Sequence, residues 1–115
     1  MRTVIRGNQA EAAVVDVLRA DGYKILDQNW KTKVCEIDIV AEKSRVIYFV
    51  EAKYRTSQDQ GDGLAYITPK KLNQMRFASR IWVQNNKWEG DWRLLAASIS
   101  WDGRGYIVQE IIELE

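Results

Sequence analysis

An unbroken apolar run, Val46-Ile47-Tyr48-Phe49-Val50, ends in Glu51-Ala52-Lys53, and this collision of pattern with charge constrains the chain more than any other stretch. The run is rich in β-branched and aromatic residues, as in a strand covered on both faces. Upstream, Glu36-Ile37-Asp38-Ile39-Val40-Ala41 reads as a second strand, with Glu42-Lys43-Ser44-Arg45 as the turn between the two. Carboxylates and a lysine thus stand where such strands should be apolar.

A paired hairpin turns this conflict into geometry. With Glu42 opposite Arg45, Asp38 faces Phe49, Glu36 faces Glu51 and Val34 faces Lys53. Period-two alternation then sets Glu36, Asp38, Glu51 and Lys53 on one face of the sheet. Asp38 and Glu51 become diagonal neighbours, roughly 7–8 Å apart at the backbone, close enough to share one cation. The inference rests on parity, since an odd-length turn or a bulge would send Asp38 to the other face. Like charges this close repel, so a positive group is expected between them, either Lys53 or a divalent metal. A solvated hairpin face with a Glu–Lys pair accounts for the same residues.

The remaining chain narrows the chemistry. Histidine is absent, which excludes Ser-His-Asp triads, histidine-zinc sites and histidine-based nucleases. Carboxylates and lysines are left for acid–base or metal work. At 115 residues the chain reads as a single domain, 1–115, and its five tryptophans argue against disorder. A net charge of +1 means that affinity for nucleic acid has to come from a local patch. One cysteine cannot form an internal disulfide, no run is long enough to span a membrane, and no signal-peptide core opens the chain. The expected setting is the cytoplasm, with no membrane partner.

In chain order, a short arm from Met1 to Arg6 is expected, then a helix from about Asn8 to Ala20, stopped by Asp21-Gly22. Val14, Val15 and Leu18 form its apolar stripe, and Glu11 lies on that same stripe. Either the positive end of the helix dipole holds Glu11 in the first turn, or Glu11 belongs beside the acidic hairpin. Tyr23–Lys31 and Val34–Ala41 read as strands joined by a tight Lys31-Thr32-Lys33 turn. Trp30 beside Lys31 and Lys33 suits phosphate contact or, as is commoner for a tryptophan at a strand end, packing, and Cys35 reads as a small core position. Arg55 to Ile67 is polar, glycine-bearing and aperiodic, a loop placed to contact substrate. Thr68-Pro69 starts a helix reaching about Asn85, with Leu72, Met75, Ser79 and Trp82 on one stripe. Lys70 and Lys71 at its start oppose the helix dipole, so phosphate binding or a solvated basic face has to explain them. A closing hairpin, Asp91–Trp101 and Tyr106–Ile112, turns at Asp102-Gly103-Arg104-Gly105. The acidic end, Glu110, Glu113 and Glu115, reads as a solvated edge.

Asp38 followed by Glu51-Ala52-Lys53 resembles the PD-(D/E)XK nuclease signature. A longer pattern is more specific: Gly7, Glu11, Gly22-Tyr23, Asn29-Trp30, Glu36-Ile37-Asp38, Phe49-Val50-Glu51-Ala52-Lys53, Arg55, Thr68-Pro69 and Lys71. In this order and spacing the chain, from about Gly7 to Arg93, is similar to the YraN-like family of small bacterial proteins, related in fold to archaeal Holliday-junction resolvases. Three positions depart from that family. Cys35 and Ala10 replace glycines, which suggests local backbone adjustment, and Leu95 replaces an aspartate. The resemblance implies an α/β restriction-endonuclease-like fold, an α-β-β-β-α-β-β sandwich with a central mixed sheet.

The resemblance also implies a metal-dependent endonuclease acting on nucleic acid, DNA first and branched DNA among its forms, and it leaves a homodimer open. Asp38, Glu51 and the Ala52 carbonyl would bind Mg²⁺ or Mn²⁺, and Lys53 would orient the attacking water. Glu11 would act from the helix, completing a catalytic set of Glu11, Asp38, Glu51 and Lys53. Arg55, Lys70 and Lys71 would hold flanking phosphates. A non-catalytic nucleic-acid-binding module with the same fold is the alternative, and a protein-interaction domain is a third reading.

Overall fold

Seven elements follow the expected order: α1 (Arg2–Ala20), β1 (Lys24–Lys31), β2 (Glu36–Lys43), β3 (Val46–Tyr54), α2 (Pro69–Asn85), β4 (Trp92–Trp101) and β5 (Tyr106–Leu114). This computed structural model describes residues 2–55 and 67–114, with residues 2–8 as backbone alone. Most of the loop expected over Arg55–Ile67, from 56 to 66, therefore lies outside the described residues, as does Glu115.

The strands form one sheet in the order β1-β2-β3-β4-β5. β3 and β4 run parallel, and every other neighbouring pair is antiparallel. A parallel pair needs a crossover, and α2 supplies it. The fold is thus the α/β sandwich with a mixed sheet that was expected. One face packs against α1, where Ala10, Val14, Val15 and Leu18 meet Ile39, Val50, Leu95, Ala97 and Ile99. The other packs against α2, where Met75, Ala78 and Trp82 meet Val40, Ile47, Phe49 and Leu94. Both faces of β3 are covered, which is why its sequence is continuously apolar from Val46 to Val50.

Three expectations are corrected. α1 starts at Arg2, so the N-terminal arm expected from Met1 to Arg6 is helical from its second residue. The helix therefore has no acid in its first turn, and Glu11 lies well inside it, beyond the reach of the dipole argument. The β1–β2 connection is longer than the tight turn expected: Lys31 pairs with Glu36, and β2 begins at Glu36 instead of Val34.

The third correction concerns the β2–β3 register. Lys43 pairs with Val46 and Val40 with Phe49, so the pairing of Glu42 with Arg45, and of Asp38 with Phe49, is displaced by two residues. The turn holds only Ser44 and Arg45, both with positive φ (53° and 65°). A two-residue turn with both residues left-handed matches the twist of the strands, and it closes at Ser44-Arg45, one residue beyond the Lys43-Ser44 closure that the expected pairing implies. A shift of two keeps parity, so the acids keep their common face.

α2 is fastened at its start by Thr68, whose Oγ1 accepts a hydrogen bond from the Lys71 amide at 3.1 Å, with Pro69 at the first helical position. Further along, the Trp82 indole packs edge-on to Phe49 and donates through Nε1 to Asp27 Oδ2 at 3.0 Å, tying α2 to β1. No helix among the described residues is long and apolar enough to cross a membrane. Thr68→Ala is expected to cost about 1 kcal/mol through loss of the cap. The check is urea denaturation, with a lowered midpoint at unchanged slope. An unmoved midpoint would mean that proline alone sets this helix start.

Candidate functional site

The β2–β3 ladder ends at Ile39↔Val50. One residue beyond, the Ala52 amide donates to Asp38 Oδ2 at 2.8 Å, so a side-chain carboxylate takes over where backbone pairing stops. Alternation places Asp38 with Val40, and Glu51 with Phe49, on the face that looks toward α2. Continuing the observed register sets Asp38 against Glu51, closer than the diagonal relation expected.

The positive group between the acids comes from α2. Lys71 Nζ lies 3.0 Å from Glu51 Oε2, with both side chains largely covered. Lys53, the expected candidate, is exposed two residues beyond Glu51, in register with Ser98 of β4. Lys70 is exposed in the first turn of α2. Arg55 follows β3 directly, its amide donating to the Ile99 carbonyl at 2.7 Å. Glu36 is exposed and lies 3.8 Å from Lys31, on the acidic side of the site.

Glu11 joins the acids from the opposite layer. Its Oε1 is buried without a hydrogen-bond partner. Burial above all, then the nearby charge of Asp38, with smaller contributions from Glu51 and Glu36, raises its pKa from 4.5 to about 7, and a hydrogen bond from the Asn29 side chain acts the other way. Asp38 is also raised, chiefly by burial and against the Ala52 amide bond. Glu51 is raised by burial and then by Asp38, with Lys71 opposing. Glu11, Asp38 and Glu51 are therefore electrostatically one cluster.

Sequence reasoning passed over Asn29 as a site residue. It stands in β1 between the rungs Gln28↔Ile39 and Trp30↔Ile37, opposite Asp38, with φ at 52°. Left-handed backbone is costly for most side chains and tolerated by asparagine. An asparagine inside a strand is itself a signal, because strands are depleted in that residue. Trp30 packs against the α2-side core, as expected, and so does the half-buried Cys35. Leu95, one of the three departures noted in the sequence, is buried against α1.

Among the described residues, no three acids or cysteines converge closely enough to enclose a metal ion. The donors present are nonetheless hard oxygens: Asp38, Glu51 and the unpartnered buried oxygen of Glu11. Of these, the adjacent pair Asp38 and Glu51 has the chemistry that Mg²⁺ or Mn²⁺ would need, since these ions take one or two carboxylates and keep several waters.

The profile described as "Uncharacterised protein family UPF0102" matches residues 10–99, the segment holding every element of this site. A UPF0102 protein of Fusobacterium nucleatum is 35% identical over 89 residues, covering 77% of this chain and 75% of its own length. One of Vibrio campbellii is 34% identical over 101 residues, covering 85% and 83%. One of Sulfurihydrogenibium is 36% identical over 85 residues, covering 74% of each.

The raised carboxylates set the pH dependence of stability. Between about pH 4.5 and 7 the folded Glu11 retains a proton that the unfolded chain has lost. Stability accordingly falls as pH rises through that window, and Asp38 and Glu51 act in the same direction. Without added metal, the urea midpoint is expected to be lower at pH 8 than at pH 5. Glu11→Gln should flatten this dependence and exceed wild type at pH 8. A wild-type midpoint that rises with pH would show that the acids are stabilised as anions.

Proposed function

The chain belongs to the UPF0102 family, and from its site we propose a metal-dependent endonuclease that hydrolyses phosphodiester bonds in nucleic acid, DNA in particular. With this goes placement in the PD-(D/E)XK nuclease superfamily, a finer assignment than the family alone. The observation that carries the reading is Glu11 Oε1, buried without a partner near two further acids whose charges raise the pKa of Glu11. Leaving one oxygen of a buried carboxylate unpaired is unfavourable for the fold alone. A cation-dependent reaction has a use for it.

Asp38, Glu51 and the Ala52 carbonyl would hold Mg²⁺ or Mn²⁺, which lowers the pKa of an attacking water and draws charge from the scissile phosphate. The Ala52 amide fixes the Asp38 carboxylate and so presets one donor. Lys71 neutralises Glu51 in the resting site and is free to move to a phosphate once Glu51 is otherwise engaged. Lys53, exposed on the same strand, orients the water and offsets charge growing on the phosphate. Glu11 holds a proton near neutrality, suited to relaying it within the cluster. Lys70 and Arg55 position flanking phosphates and carry no sequence information.

The Lys71–Glu51 pair favours one second reading. A lysine that already neutralises the acid suits a nucleic-acid-binding module without catalysis.

Cleavage of linear, branched, flap and RNA substrates with Mn²⁺ decides between them. Asp38→Asn is expected to abolish cleavage and to weaken Mn²⁺ binding sharply in calorimetry. Lys53→Ala should slow single-turnover cleavage by ~10²–10³ while leaving binding in Ca²⁺ nearly unchanged, because the loss falls on the transition state. Proportional loss of binding and cleavage would make Lys53 a phosphate anchor. Absence of any cleavage by wild type with Mg²⁺ or Mn²⁺ would favour the binding module.

A further inference from the structure

Beside the acids, a groove of about 950 Å³ runs between the β1–β2 turn and α2. Its wall joins groups that the fold does not otherwise use together. Val34 is 72% exposed and Phe77 49% exposed, and neither belongs to a core cluster. Lys70, Gln74 and Phe77 line it at i, i+4 and i+7 on α2, one stripe spanning roughly 10 Å of helix. Lys31 and Lys71 face it from β1 and α2, and Glu51 connects it to the acidic cluster. The Lys31–Glu36 pair is exposed on both sides and contributes little, so its ammonium can be given to another anion.

We propose that this groove binds an unpaired nucleotide strand, with Phe77 stacking on a base while Lys70 and Lys31 take the adjoining phosphates. The inference rests on the nucleic-acid reading of the site and names its substrate class. An intact duplex presents sugar and phosphate to such a surface and keeps its base faces stacked, so exposed apolar side chains gain nothing from it. A single strand offers both: π-faces for the aromatic ring and a charged backbone for the lysines. Gln74, between the two on the same stripe, can reach sugar or base edges without requiring a sequence. The groove opens onto Glu51, so a strand lying in it leads its backbone to the acids. Single-stranded flaps and the arms of branched substrates then fit better than blunt duplex.

The test is fluorescence anisotropy in Ca²⁺ with an oligothymidylate and a blunt duplex of equal length, run on wild type, Phe77→Ala, Phe77→Trp and Lys70→Ala. Wild type is expected to prefer the single strand. Phe77→Ala should weaken single-strand binding roughly five- to hundredfold, the loss of one stacked base, and leave duplex binding unchanged. Phe77→Trp should retain single-strand affinity because it restores the platform. Lys70→Ala should weaken both ligands and lower the salt slope by roughly one. Equal effects of Phe77→Ala on both ligands, no effect on either, or tighter binding of duplex would overturn the proposal. The two readings fail separately. Phe77-dependent single-strand binding without any Mn²⁺-supported cleavage sinks the nuclease and leaves the groove. Cleavage with single-strand binding indifferent to Phe77 sinks the groove and leaves the nuclease.

Discussion

A carboxylate drawn into a sheet needs something to answer its charge, and here the answers come from separate elements. Asp38 receives a backbone amide from β3, Glu51 receives an ammonium from α2, and Glu11 receives a side-chain amide from β1 while keeping one oxygen unanswered. None of these partners belongs to the strand or helix that carries its acid. The site therefore exists only when both helical layers are docked on the sheet. Local propensity contributes little to it, and tertiary packing contributes nearly everything.

Compensation is also incomplete. Burial pushes all three acids upward in pKa more strongly than their partners pull them down. Surface ion pairs elsewhere, such as Arg93 with Glu113 at 2.8 Å, show how readily this chain satisfies an exposed acid. The contrast separates a structural use of charge from one that stores unfavourable proximity. Stored repulsion of this kind is common where a chain is built to meet a cation or a proton. Its cost is carried by the apolar packing on both faces of β3.

Much of this was legible in the residues. The acids share a face because strand side chains alternate, and that inference survived a register error of two residues because only parity mattered. Thr68-Pro69 named its helix start from cap chemistry alone, and Asp102-Gly103-Arg104-Gly105 named its turn, where Asp102 Oδ1 accepts from the amides of both Arg104 and Gly105. What the residues withheld was depth and partnership. Nothing in the pattern around Lys71 distinguishes a lysine that reaches Glu51 from one that faces solvent, because that depends on how α2 lies across β2 and β3. The start of α1 was missed for a related reason: Arg2 to Gly7 carries no strong apolar stripe to announce it. Asn29 was visible only as part of a motif, since a left-handed residue inside a strand breaks the rule by which strands are read.

Asn29 answers to its backbone and its side chain at once. At φ of 52° a glycine would sit more comfortably, yet glycine has no amide to offer Glu11. Aspartate tolerates the same backbone but would bring another negative charge to a crowded cluster, and β-branched or bulky residues are excluded by sterics. Position 29 thus has almost no neutral neighbours in sequence space. Drift along the rest of β1 is open to many substitutions, but a chain that leaves asparagine here has to rebuild the strand or give up Glu11.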